Sequence, residues 1–402
     1  MRARRINVHR YSRNRAADRP MDIAYVLADR IHPEGPSGAA AHVRNVIGQL
    51  RRLGHTVDLI RHDVPPPSAG EDAASPSLRD RLKTALLAPV PDMAERAVHG
   101  WYHRQHNDRL VRQHADRLAA ADLVYERDTY QSFGAMHATD RLDVPWIVEC
   151  NGLFWGEESV FRAPWSTKRY RTRHVAKWRR ATHVIAVSEQ LKHRIVHEGV
   201  DPASISVIHN GVEVEPYDRV DPADVSALRR RLGIDDDTMV VGFLGHVLPK
   251  HRVDLLIDAL ASLDDPDLHG LIVGGGQVDD ATTYAAEAGV GNRVTFTGPV
   301  APNDVPLHVS AMDVGTVPGT SALDSPVKIF DYGAAGCPVV AADFAGVTEI
   351  LTDGTNGLLF ERGSSAAFAN ELTRLVSDPS LQGELGTRLR QTVESRHTWK
   401  QV

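Results

Sequence analysis

Residues 325–340 read SPVKIFDYGAAGCPVV. Ser325 and Pro326 form a tight turn, Val327 and Lys328 open a helix that carries Asp331, and Gly336-Cys337-Pro338 stops it before an apolar strand. A turn feeding a helix presents unpaired backbone N–H groups and the positive end of the helix dipole, which suits a phosphate. Asp331 falls on the second turn of this helix, where a carboxylate accepts hydrogen bonds from the vicinal hydroxyls of a sugar. A phosphate seat beside a hydroxyl acceptor describes a nucleotide-binding corner. A helix set between a turn and a buried strand is also the repeating unit of a doubly wound parallel sheet.

The unit recurs along the chain. After the hinge-like HNGVEVEPYD come VVGFLG, LIVGGG, VTFTG, DVGTV, PVVAAD and GLLF, with helical character between them. Upstream, DIAYVLA reads as a buried strand, and residues 39–55 place Val43, Val46, Ile47, Leu50 and Leu53 on one helical face that Gly54 ends. TVDLI is the next strand, and further strands read at Leu123–Tyr125, Trp146–Glu149 and Val184–Val187. Residues 62–91 read as a long irregular loop or lid. The expected fold class is α/β, with two tandem Rossmann-like domains facing a cleft. Residues 21–210 form the first, 211–380 the second, and 381–402 a helix crossing back. Doubly wound sheets bind ligands at the carboxyl ends of their strands, so the cleft is the expected site.

With 402 residues the chain is long enough for two ordinary cores. Its 42% apolar and 24% charged residues are those of a globular protein, and a net charge of −6 argues against a dedicated nucleic-acid binder. Cys150 and Cys337 lie in different halves beside apolar segments, which predicts buried free thiols in a reducing compartment. No apolar run approaches the roughly 20 residues of a membrane-spanning helix, and the expected location is the cytoplasm. The first twenty residues hold seven arginines and one acid, without the apolar core of a secretory signal. They read as a disordered basic extension, with an anionic-surface arm and a true start at Met21 both open.

These motifs resemble, in order, those of retaining glycosyltransferases with the GT-B fold, the large family 4 in particular, over Met21 to the C-terminus. Relatives usually continue past the equivalent of Trp399, which leaves a trimmed C-terminus open. The resemblance implies transfer from a nucleotide-diphosphate sugar to an acceptor hydroxyl, without a metal. Pro36 to Val43 resembles the Gly-rich loop and helix facing the donor phosphates and acceptor; Gly38 is kept, Ser37 stands for the preceding glycine, and His42 lies on the acceptor side. At the end of a buried strand, Glu149 and Asn151 stand where many relatives place a histidine touching the transferred sugar. The trailing acids Glu157 and Glu158 belong to the same branch, and Glu157 joins His42 on the acceptor side. Gly242 to Arg252 resembles the strand and loop that place an arginine and a lysine on the diphosphate. Lys250 holds the lysine position, His246 the arginine position and His251 that of a glycine, while Arg252 or Lys328 supplies further charge. Two cations are wanted there because the leaving diphosphate gains negative charge as the glycosidic bond breaks. Val300 lies on the loop whose backbone reads the nucleobase. Ser325, Val327, Lys328 and Asp331 form the donor corner, with Leu323 where relatives often carry a first glutamate and Asp324 beside it. Asn151, Glu149 and Lys250 are thus the expected catalytic residues.

The run Asp235-Asp236-Asp237 reads as a solvated turn rather than a metal site. Arg162 to Arg180 mixes cations with Trp165, Tyr170 and Trp178, and two readings stand: peripheral docking at the inner membrane surface, or a solvated helix beside the acceptor cleft. The acceptor is a small molecule, a glycan or a lipid-linked sugar, and the residues say nothing of oligomeric state. His246, His251 and Leu323 motivate an alternative, a degenerate GT-B protein that activates a partner transferase.

Overall fold

A computed structural model describes residues 19–29, 31–35, 37–63, 92–155, 167–323 and 325–402. Two six-stranded sheets, parallel throughout, form the two halves. The first is ordered β2-β1-β3-β4-β5-β6, with β1 at Asp22–Leu27, β2 at Thr56–Arg61, β3 at Leu123–Arg127, β4 at Trp146–Cys150, β5 at His183–Ala186 and β6 at Ile205–Val207. The second is ordered β12-β11-β10-β7-β8-β9, with β7 at Met239–Leu244, β8 at Leu268–Val273, β9 at Val294–Phe296, β10 at Val314–Val317, β11 at Val339–Ala342 and β12 at Leu358–Phe360. Strands such as β10 and β11 are buried along their whole length, as expected where helices cover both faces.

Strand order reverses between β1 and β3 in the first sheet and between β10 and β7 in the second. The loops leaving those four strands therefore diverge and open a crevice at each sheet's carboxyl edge. In the second half the crevice is held by close backbone approaches. Gly274 ends β8 with φ +141°, and a Cβ there would sit 2.1 Å from the carbonyl oxygen of Gly245. The Tyr332 ring fills the space over Gly315, where a Cβ would meet it at 2.6 Å. The Tyr332 hydroxyl accepts from the Leu244 amide at 2.9 Å and donates to the Thr316 carbonyl at 3.2 Å. One side chain thus fixes the helix Lys328–Ala334 to the ends of β7 and β10.

Two local expectations change. Helix Gly38–Arg52 buries Val43 and Ile47, but Leu53 stands 72% exposed. It is the helix cap, one residue before Gly54 reverses the chain with φ +90°, so the apolar face ends at Leu50. Helix Thr167–Arg180 is not merely solvated. It buries Tyr170, His174, Val175, Lys177 and Trp178 against the first core, with Lys168, Arg169, Arg171, Arg179 and Arg180 outside. Trp165 lies outside the described residues, as do 1–18 and 64–91. Cys150 and Cys337 are free and buried, and the three aspartates 235–237 are exposed in a turn. Among the described residues no helix is long and apolar enough to cross a membrane.

Candidate active site

The two reversal points face each other. Between them lies a cavity of about 640 Å³. Asp29 after β1, Arg127 to Tyr130 at the end of β3 and Asn151 to Phe154 after β4 form one wall, and Lys250, Ser321 and Leu323 close it from the second half. Asn151 and Lys250, predicted from separate motifs, therefore meet across one space. Gly38 lies beside it, one residue before the lining Ala39.

Behind Asn151 sits Glu149, 1% exposed. Its Oε1 accepts from the Asn151 side-chain amide at 2.6 Å and lies 2.7 Å from His42 Nε2; its Oε2 accepts from the Tyr125 hydroxyl at 2.6 Å. Burial pushes this carboxyl up, but His42, Arg127 and the Tyr125 hydrogen bond outweigh it and hold the pKa at about 2. Glu149 is ionised and enclosed: it orients His42 and Asn151 rather than facing the cavity. Ser37 caps helix Gly38–Arg52, its Oγ accepting from the Ala40 amide at 3.2 Å. Deeper in the wall, Lys177 Nζ donates to Glu126 at 2.9 Å, Asp128 at 2.6 Å and Ser132 at 2.8 Å, and His174 Nε2 lies 2.7 Å from Asp128. All four ionisable groups are fully enclosed. The rule that singles out Glu149, polar groups at a strand's carboxyl end, applies equally to Glu126, Arg127 and Asp128, which the sequence reading passed over.

The second half arranges its groups differently. Lys328 Nζ lies 4.0 Å from the centroid of the Phe243 ring. His246 is exposed and its carbonyl accepts from His251 Nδ1 at 2.5 Å. Burial, with Lys328 and Lys250 nearby, pushes His251 down to about 3, so it is neutral at neutral pH and adds no cation. Arg252 has its guanidinium on Asp254, with three contacts between 2.8 and 3.0 Å; the extra charge expected of it is taken up within its own helix start. Val300 is half-buried against the second core. Ser325 is buried, and its Oγ has no hydrogen-bond partner among the described residues. Val327 precedes the helix, whose first turn rather than its second carries Asp331. Asp331 Oδ1 accepts from the Tyr217 hydroxyl at 2.6 Å. There burial wins, lifting the carboxyl to about 6 against the opposing pull of Tyr217 and Lys328.

Leu323 explains its own departure from the motif. Its side chain packs into the first half's apolar cluster, and its carbonyl accepts from Ser188 Oγ at 2.9 Å. A glutamate there would place a charge in that apolar cluster. Glu157, Glu158 and Asp324 lie outside the described residues.

Two family descriptions match this chain: Glycosyltransferase Family 4 over residues 36–216 and Glycosyl transferases group 1 over residues 238–378. The chain belongs to the family 4 glycosyltransferases. Among curated relatives of this family 4 chain, the D-inositol 3-phosphate glycosyltransferase of Stackebrandtia nassauensis is 34% identical over 197 residues, 46% of this chain and 44% of that protein. That of Corynebacterium glutamicum is 33% identical over 214 residues, 50% and 51% of the two chains. The chain spans about half the length of the curated relatives it matches. Solved GT-B structures cover nearly all of it. Anabaena HepE in complex with UDP and glucose superposes with TM-score 0.72 at 21% identity, over 94% of this chain and 96% of that one. Sucrose-phosphate synthase from Thermosynechococcus elongatus gives 0.74 at 19%, over 95% and 96%. The fold is GT-B, and with relatives named as transferases the activator alternative is not favoured.

Proposed function

We propose that this family 4 chain moves a sugar from a nucleotide-diphosphate sugar to an acceptor hydroxyl, with retention at the anomeric carbon and without a metal. The observation that carries this reading is the cavity setting Asn151 of one half opposite Lys250 of the other. Lys250 and Lys328 hold the diphosphate, whose charge grows as the bond to the anomeric carbon breaks. The acceptor oxygen attacks from the face the diphosphate is leaving, and a diphosphate oxygen takes the acceptor proton. One C–O bond breaks, one forms, and the proton leaves with the nucleotide. Asn151, its amide fastened to Glu149, keeps its carbonyl for the sugar or the acceptor hydroxyl. Asp331 offers the ribose the oxygen Tyr217 does not use, the backbone at Val300 meets the base, and the turn at Gly38 approaches the phosphates.

HepE's complex with UDP and glucose makes uracil the first donor base to try. The names of the curated relatives make a polyol phosphate a first acceptor, beside small molecules, glycans and lipid-linked sugars. We place the reaction in the cytoplasm, with contact to the inner membrane surface where the acceptor is lipid-linked. A melting screen of UDP, GDP, ADP, TDP and their sugars tests the donor site, since a ligand that binds only the folded state raises the melting temperature. We expect one nucleotide to raise it, and Lys250→Ala and Asp331→Ala to lose the rise. No rise with any nucleotide overturns the reading.

A further inference from the structure

The segment following the long helix Pro379–Arg396 runs between the two halves and touches both sides of the proposed site. The Val212 amide donates to the His397 carbonyl at 2.9 Å, and the Trp399 amide donates to the Val212 carbonyl at 3.3 Å, so the segment is laced to the linker between the sheets. Two side chains leave this short ladder on opposite errands. The His397 ring stacks on Phe330, the neighbour of Asp331, with centroids 4.7 Å apart and planes at 29°. Burial, with His209 and Arg396 nearby, pushes His397 down to about 4, so the stacked ring is uncharged at neutral pH. The Trp399 ring, 6% exposed, meets His42 edge-on at 5.5 Å and 64°.

His42 is the link from there to the cavity. Its Nε2 faces Glu149 Oε1 at 2.7 Å, and the same oxygen holds the Asn151 amide at 2.6 Å. His42 Nδ1 and Trp399 Nε1 have no hydrogen-bond partner among the described residues, and the His42 Nε2 contact with Glu149 is an ion-pair approach rather than a hydrogen bond of good geometry. A polar anchor on the far side of the imidazole is therefore lacking, and the indole edge supplies the second constraint on its tilt. The fit around Trp399 is close: a Cβ on Gly211 would lie 3.0 Å from the Trp399 amide nitrogen and 3.1 Å from its ring.

We propose that Trp399 is a positioning residue for the transfer reaction, acting through His42 and Glu149 on Asn151. His397, on the same segment, keeps that wall in register with the donor-corner helix. The inference rests on the transferase reading above. A side chain that touches neither donor nor acceptor changes the rate by moving one that does, and displacements on the order of 1 Å at a reacting group cost up to about 100-fold.

The test is sugar transfer, or hydrolysis of the sugar nucleotide where no acceptor is known, beside nucleotide-induced melting shifts. Trp399→Ala is expected to lower kcat by about 10- to 100-fold while the nucleotide shift stays that of the unvaried chain. Trp399→Phe, which keeps a ring edge on His42, returns most of the rate. Gly211→Ala keeps the indole but crowds it, and lowers kcat in the same direction by less; it also serves if Trp399→Ala does not fold. Side chains acting in one line are not additive, so the double variant of Trp399→Ala with His42→Ala falls no further than the worse single one. Multiplying losses overturn the inference, as does a nucleotide shift lost in step with kcat, or a rate that Trp399→Phe fails to recover. Failure of the transferase reading is seen separately, because it appears in the unvaried chain as no melting response to any nucleotide.

Discussion

Glu149 and Asp331 are both carboxylates drawn out of water at the carboxyl edge of a parallel sheet, yet they end in opposite states. Glu149 is met by His42, Asn151 and Tyr125 and stays ionised down to about pH 2. Asp331 is met by one tyrosine hydroxyl and a more distant lysine, and its carboxyl rises to about 6. Desolvation is the largest influence on both; the number and charge of the partners decide which way the balance falls. In the first half, Glu149 is therefore satisfied by its own wall before any ligand arrives. The second half keeps a carboxylate under strain, as a site does when it reserves a group for a ligand.

The largest effect expected is the breaking of that self-satisfied wall. Lys177→Ala leaves Glu126 and Asp128 enclosed without their cation, and losing one partner of a buried pair costs about 3–5 kcal/mol. Urea unfolding reads this directly. A loss under about 1 kcal/mol, the value of a surface pair, would mean that the network is hydrated and the contrast between the halves false. Next in size is Lys250→Ala, in the half proposed to receive the donor. It is expected to lower kcat by about 10²–10³-fold, the usual cost of one preorganised group on developing charge, with little change in melting temperature. Steady-state kinetics beside a melting curve separates the two, and a variant that loses stability but not rate would reverse the assignment.

Much of this was legible in the chain. The alternation of apolar strands with helices and the order of the motifs are local signals, and they carried over into two parallel sheets. Asn151 was readable because it directly follows a recognisable strand, and Lys250 because it lies in the loop that leaves another. The buried ion network was not. Lys177 lies within a run of arginines and lysines that reads as solvated, and only the folded chain turns Tyr170, His174, Lys177 and Trp178 inward on one face. Leu323 was legible as a departure from the motif, but its reason is a contact with the other half. Arg252 was readable as a cation; that Asp254 takes it depends on the left-handed backbone, φ +50°, at which it enters its helix.

Asp331→Asn sharpens the comparison through pH. The raised carboxyl stabilises the fold only while protonated, so its contribution is full below the ordinary carboxylate range and lost as pH rises through about 6. Asparagine removes the charge and still offers Tyr217 an acceptor. The variant is expected to melt a few degrees above the unvaried chain at pH 7.5, a shift of roughly 2–4 °C per kcal/mol. At pH 4 the two should coincide, and nucleotide binding should be lost throughout. Glu149 runs the other way: its contribution is present above the ordinary range and fades only as pH falls toward about 2, so Glu149→Gln melts lower at pH 7.5. Equal signs for the two variants would break the comparison.

The smallest effect sits at Ser37, where the first half again satisfies a donor internally. Its Oγ occupies the Ala40 amide at the start of helix Gly38–Arg52, a group that the resemblance would leave open toward a phosphate. Replacing a serine cap by glycine costs only a few tenths of a kcal/mol, so Ser37→Gly is expected to be barely visible in a melting curve. Its value lies in the nucleotide screen. If the amide is released toward the cleft, the melting rise given by a sugar nucleotide grows in Ser37→Gly and shrinks in Ser37→Asp, which keeps the cap but adds a negative charge. If both variants respond as the unvaried chain does, the helix start plays no part in holding the donor, and the whole diphosphate falls to the cations of the second half.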